Sequence, residues 1–188
     1  MPPPLFVTFA FGDVGPWRID TINTLSGDSL PAAGRVRVIE GAGLSGPPDA
    51  DWILRGITSN QRYTTRPELD VLAGRQQGLA RPQARCAALI PIRKTEAWWA
   101  LAQDERRAIF EDQSHHIGIG LDYLPAIARR LHHSRELGEA FDFITWFEFA
   151  PEHSGDFDEL LRRLRGTREW DYVDREVDIR LNRDDPPA

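Results

Sequence analysis

Four of the five histidines in this 188-residue chain stand in two adjacent pairs, His115-His116 and His132-His133. Imidazole titrates near neutral pH and is the commonest metal ligand, so such pairs are the first place to look for chemistry. The stretch from Asp104 through Glu105-Arg106-Arg107-Ala108-Ile109-Phe110 to His116 reads as a helix, which assigns each histidine a face. His116 follows Ile109 by seven residues and shares its apolar side. His115 follows Ala108 by seven and Glu111 by four, and points about 100° away. His116 is therefore the candidate for the buried side, as a hydrogen-bonded core residue or as a ligand. Asp112 and His116 are four apart and could share a metal, but neither His-Glu-x-x-His nor cysteines at zinc spacing occur. Gly118-Ile119-Gly120 follows, read as the end of the helix. Glycines beside an imidazole either close the helix or let a flat cofactor come close to the backbone.

Lys94 is the single lysine against 22 arginines. The arginine excess reads as the codon bias of a GC-rich genome. Lysine is a compact point charge that arginine does not replace at a tight site, so the one that remains is a candidate for a role. Arg129 stands among Ile127, Leu131, Phe143 and Phe147. Burying an arginine unpaired is costly, so it lies at the surface, pairs with a carboxylate, or awaits an anion. Trp98-Trp99 and Trp146 serve as core or as walls for a large flat ligand. No Gly-x-Gly-x-x-Gly, phosphate-binding loop or Gly-x-Ser-x-Gly elbow is present, which argues against nucleotide cofactors and a serine hydrolase.

The positioning elements follow from alternation and punctuation. Leu5–Phe11, Trp17–Ile22, Val36–Ile39 and Trp52–Thr58 read as strands, separated by proline-, glycine- and serine-rich pieces. Pro67–Gln77 reads as a helix with Gly78 just past its end. Cys86–Ile92 is a buried strand and Thr95-Glu96-Ala97-Trp98 opens a helical stretch. Phe141–Phe149 is an aromatic strand with Phe143, Thr145, Phe147 and Phe149 on one face; Asp156–Arg165 is a helix; Val177, Ile179 and Leu181 alternate in a last strand. Leu124–His133 fits helix or strand. As a strand it gives the aromatic strand a hairpin partner and makes the second half β-α-β-β-α-β, the ferredoxin-like unit. The strand reading is taken, which predicts an α+β fold of two ferredoxin-like halves in a barrel-like subunit: a shortened half over 1–82 and a half over 83–188 that carries the site.

Composition is that of a globular protein, with 41% apolar and 28% charged residues and no apolar run long enough to span a membrane. A net charge of −6 argues against nucleic acid as partner. Cys86 alone excludes an intrachain disulfide and a cysteine-built metal centre. Met1-Pro2-Pro3-Pro4 does not resemble a signal peptide, and a cytoplasmic location is expected.

From Ala88 to Leu181 the chain resembles the chlorite dismutase family in its short, dimeric lineage. The blocks that carry the resemblance are Ala88–Lys94, Trp98-Trp99, Asp104–Asp112, Ser114–Ile117, Tyr123–Arg129, Phe141–Phe143, Trp146–Glu148 and Ala150–His153, with weaker points at Arg62-Tyr63 and Gln76. The resemblance implies a haem b enzyme that converts chlorite to chloride and dioxygen, forming the O–O bond. It implies His116 as the axial iron ligand, Glu169 and Lys94 beside it, Arg129 as the distal arginine, and Gln76 near that arginine. Relatives often place a glutamate directly after the threonine that here is Thr167. This chain has Arg168 there and Glu169 next, and Glu169 is taken as the counterpart. Longer members of the family assemble as pentamers, whereas the short form implies a homodimer. A peroxidase-like haem protein, a coprohaem decarboxylase relative and a haem-binding sensor are the alternatives. The decarboxylases tend to have glutamine at the distal position, which Arg129 argues against.

Overall fold

A computed structural model of the chain describes residues 4–41, 46–58 and 63–184. Met1–Pro3 and Arg62 lie outside the described residues. Eight strands run β1 Leu5–Gly12, β2 Trp17–Ser26, β3 Arg35–Glu40, β4 Trp52–Thr58, β5 Cys86–Lys94, β6 Ala128–His133, β7 Phe143–Phe149 and β8 Val173–Arg183. They close into an antiparallel barrel in the order β1-β3-β2-β8-β5-β7-β6-β4, with β4 returning to β1. Among the described residues five α-helices accompany them: α1 Arg66–Arg75, α2 Glu96–Ala100, α3 Gln103–Arg107, α4 His116–Asp122 and α5 Ser154–Arg165. None of the described helices is long and apolar enough to cross a membrane.

Alternation along the strands builds two cores. Inward residues fill the barrel: Val7, Phe9, Phe11, Trp17, Leu54, Leu89, Ile144, Trp146, Val177, Ile179 and Leu181. The residues between them point outward and meet the helices, so Ala88, Ile90, Ile92, Phe143, Phe147 and Phe149 pack on Phe157, Leu160, Leu161 and Leu164 of α5. Fully burying each large side chain contributes roughly 1.5–3 kcal/mol, which explains why α5 holds its place on the sheet. The functional cavity lies in this second, outer layer.

The ambiguous stretch is a strand from Ala128, paired with β7 from Ala128↔Glu148 to His133↔Phe143. The expected helix from Asp104 to His116 is not continuous. After α3 the backbone widens into a π-turn over Ala108–Gln113, His115 turns left-handed at φ 53°, and α4 starts afresh at His116. The Glu111 carboxylate accepts from the N–H groups of Ile117 (2.7 Å) and Gly118 (3.3 Å), which a continuous helix would give to backbone carbonyls. A side-chain acceptor outcompetes the helical ladder there, and the extra residue of a π-turn shifts the phase of everything after it. Gly118 and Gly120 therefore lie inside α4 and do not end a helix.

Candidate functional site

Sheet and helices enclose a cavity of about 460 Å³. β5 to β7 supply Ile90, Ile92, Leu131, Phe143, Thr145 and Phe147, while the helical layer supplies Phe110, Ile117, Leu161 and Leu164. All five sequence-derived candidates, His116, Glu169, Lys94, Arg129 and Gln76, line it. An apolar cavity with a few convergent polar groups is the form of a small-molecule site.

His116 Nδ1 is 2.7 Å from Glu169 Oε2. The carboxylate can only accept, so Nδ1 carries the proton and Nε2 remains as the ring's other nitrogen. Glu169 Oε1 accepts from Lys94 Nζ at 2.8 Å, and Lys94 reaches the Glu169 carbonyl at 3.3 Å. Lys94 is 2% exposed and Glu169 4%. Trp98 lies under the ammonium at 4.6 Å from the ring centre, and Trp170 lies at 5.5 Å. Arg168 instead faces solvent near Asp171, so the one-residue offset after Thr167 puts the glutamate inward. His115 is exposed. The shared apolar face with Ile109 is therefore not what turns His116 inward; the left-handed turn at His115 and the cap by Glu111 do that.

Two further residues set this triad and escape a reading of motifs. Ser114, 3% exposed, accepts the Glu169 N–H at 2.9 Å and ties the histidine turn to the glutamate segment. Asp142 accepts from the Lys94 N–H at 2.7 Å and from Trp99 Nε1 at 3.2 Å. Both residues fall in blocks that carry the family resemblance, Ser114–Ile117 and Phe141–Phe143, but their residue types alone suggest no role.

Burial pushes the Glu169 carboxyl up, but the charges of Lys94 and His116 and their hydrogen bonds outweigh it and hold it at about 2. A value below the ordinary 4.5 of a glutamate means that the carboxylate stabilises the fold above that pH. That contribution is lost as pH falls toward 2. Urea unfolding of the parent and of Glu169→Gln should show the parent clearly more stable at neutral pH, with the gap narrowing near pH 3. A gap independent of pH would contradict this placement of Glu169.

Arg129 enters the cavity from β6, and no described residue forms an ion pair with it. Burial pushes its guanidinium down to about 10, which leaves it cationic at neutral pH. Its head lies against Gly120: a Cβ there would meet Cζ and Nη2 at 2.7 Å. The room made by Gly120 is filled by Arg129, whereas a Cβ at Gly118 would have nothing nearer than 3.8 Å. Gln76 donates from Nε2 to the Arg129 carbonyl oxygen at 2.7 Å. Its link to the arginine thus runs through the backbone and not through the guanidinium.

The family model described as chlorite dismutase matches residues 43–183. A dimeric chlorite dismutase from Nitrobacter winogradskyi, known from its crystal structure, is 52% identical, with a TM-score of 0.86 over 94% of this chain and 99% of that one. The chlorite dismutase of Candidatus Nitrospira defluvii in complex with imidazole shares the fold at 22% identity, with a TM-score of 0.69 over 96% of this chain and 91% of that one. The chlorite dismutase of Ideonella dechloratans is 32% identical over 123 residues, 63% of this chain, and the match spans 40% of that protein. With most of its length matched by the family model and nearly all of it superposed on the Nitrobacter protein, the chain belongs to the chlorite dismutase family.

Proposed function

We propose that this chain is a haem b enzyme that decomposes chlorite to chloride and dioxygen, with His116 as the axial ligand. The observation that carries this reading is the His116–Glu169–Lys94 triad on the wall of an apolar cavity that an unpaired arginine enters from the sheet. The residues fit haem. His116 has a free Nε2 on the cavity wall, the lining is apolar, and the buried Trp98 N–H on the same wall finds no acceptor among the described residues. Haem iron, when bound, supplies the redox chemistry that breaks the Cl–O bond.

The protein groups take the remaining work. Glu169 accepts the His116 proton, which fixes the ring and makes its other nitrogen a stronger donor. Lys94 keeps that carboxylate ionised through one contact and holds the Glu169 backbone carbonyl through another. Arg129 offers a fixed cation to chlorite and then to the departing hypochlorite, retaining the anion until O–O bond formation is complete. Gln76 acts on Arg129 as a positioning residue.

Residues 1–82 and 83–188 are read as two ferredoxin-like halves. Supporting this, the strand order β4-β1-β3-β2 repeats as β8-β5-β7-β6. The homodimer reading is supported by likeness to the dimeric Nitrobacter protein; exposed large apolar side chains (Phe6, Val14, Leu25, Val71) sit on separate elements. The lone, half-buried Cys86 suits a reducing cytoplasm.

The haem-loaded protein given chlorite at an oxygen electrode is expected to release dioxygen and chloride in equal amounts. Chlorite loss without dioxygen would favour a peroxidase-like or sensor role and overturn the proposal.

A further inference from the structure

β6 pairs with β7 along its whole length, and among the described residues it meets β4 at Ile57↔His133. Side chains of the segment after α1 bond the backbone of the stretch from Pro125 to Arg129. Gln76 Nε2 donates to the Arg129 carbonyl at 2.7 Å. Arg81 donates to the carbonyls of Pro125 (3.0 Å), Ala126 (2.8 Å) and Glu148 (3.3 Å), and to Gln77 Oε1 (3.0 Å). The Ala80 N–H donates to Glu148 Oε2 at 2.6 Å, while Glu148 Oε1 accepts from Trp146 Nε1 at 2.8 Å.

Two features mark this segment as more than a surface loop. Glu148 is 5% exposed on a strand whose other buried side chains are apolar, and a buried carboxylate stays only where its donors stay. Ala80 is left-handed at φ 62°, a conformation that disfavours alanine by about 1 kcal/mol or more and that is kept with its N–H on Glu148. Among the described residues no carboxylate pairs with the Arg129 guanidinium, and its head is seated against Gly120.

We propose that residues 76–81 are a strap that positions Arg129, anchored by Arg81 on the segment leading into β6 and by Glu148 on β7. Loosening either anchor lets the β6 edge shift and moves the cation away from the bound anion. This rests on the reading of Arg129 as the group that holds the anion.

The test uses haem-loaded protein and fluoride titrated against the Soret band, well below the unfolding temperature, with melting temperatures measured alongside. Arg129→Ala is expected to weaken fluoride about tenfold or more, as loss of a charged hydrogen bond does. Arg81→Ala and Glu148→Ala should weaken it about three- to tenfold, the size of a coupling carried through intervening residues. Glu148→Gln keeps an acceptor for Ala80 and should recover most of the parent affinity. Arg66→Ala, on the solvent side of α1, should change nothing. If Arg81→Ala does not fold, Arg81→Lys carries the comparison, since an ammonium cannot span the same carbonyls. Lower melting temperatures with parent-like fluoride affinity in both anchor variants would overturn the strap while leaving Arg129 in its role. Parent-like affinity in Arg129→Ala would overturn the reading of Arg129 itself, and the strap with it.

Discussion

Replacing His116 with alanine is expected to abolish stable haem binding, with the loss exceeding the roughly 10- to 100-fold that removal of an outer hydrogen-bond partner costs a metal site. Two histidines, His116 and His133, line the cavity, and it is His116 whose Nδ1 is held by a carboxylate, leaving its Nε2 as the donor to iron. The comparison variant is His115→Asn. His115 is exposed and left-handed, and asparagine adopts that backbone at less cost than alanine. Haem titration followed at the Soret band should separate the two: parent-like saturation for His115→Asn, and none at equal concentration for His116→Ala. Parent-like binding by both would remove His116 from the iron.

The second large effect is at Arg129. Arg129→Ala should still bind haem, since the His116–Glu169–Lys94 triad is untouched, and should still consume chlorite. A charged hydrogen bond contributes about 1.5–3 kcal/mol, so its loss should shorten retention of the departing anion by roughly one to two decades. More hypochlorite then escapes, the haem bleaches sooner, and each site makes less dioxygen before it fails. Monochlorodimedone traps the escaped hypochlorite, and total dioxygen per haem counts turnovers. Equal trapping and equal yield in parent and variant would show that Arg129 has no such role.

What the sequence made legible was the barrel and the cast of the site. The strands follow from alternation, and Trp52–Thr58 has the bounds its sequence suggests. The stretch before His133 is resolved by the need of the aromatic strand for a partner, and begins only at Ala128. His116 is reached by an argument that does not hold: the helix that would align it with Ile109 breaks first, at a π-turn and a left-handed residue. The helical pieces on either side of the break are too short for a one-residue phase shift to stand out in hydrophobic periodicity, so the break shows only once Glu111 is seen capping α4. Ser114, Asp142, Arg81 and Glu148 act through partners far along the chain, 44 to 68 residues away for the carbonyls that Arg81 holds and for the Ala80–Glu148 contact. Local pattern cannot express such pairings. Glu148 carries a physical signal, a carboxylate on the inward face of an aromatic strand, where burial without donors would be prohibitive.

The account turns on the oxygen–oxygen bond being made from chlorite while the departing anion is held beside Arg129. Turnover of unlabelled chlorite in water enriched in ¹⁸O, followed by mass spectrometry of the gas, tests this directly. Retention predicts dioxygen almost wholly of mass 32, both atoms coming from chlorite. Substantial mass 34 or 36, from oxygen exchanged with solvent before the bond forms, would contradict it.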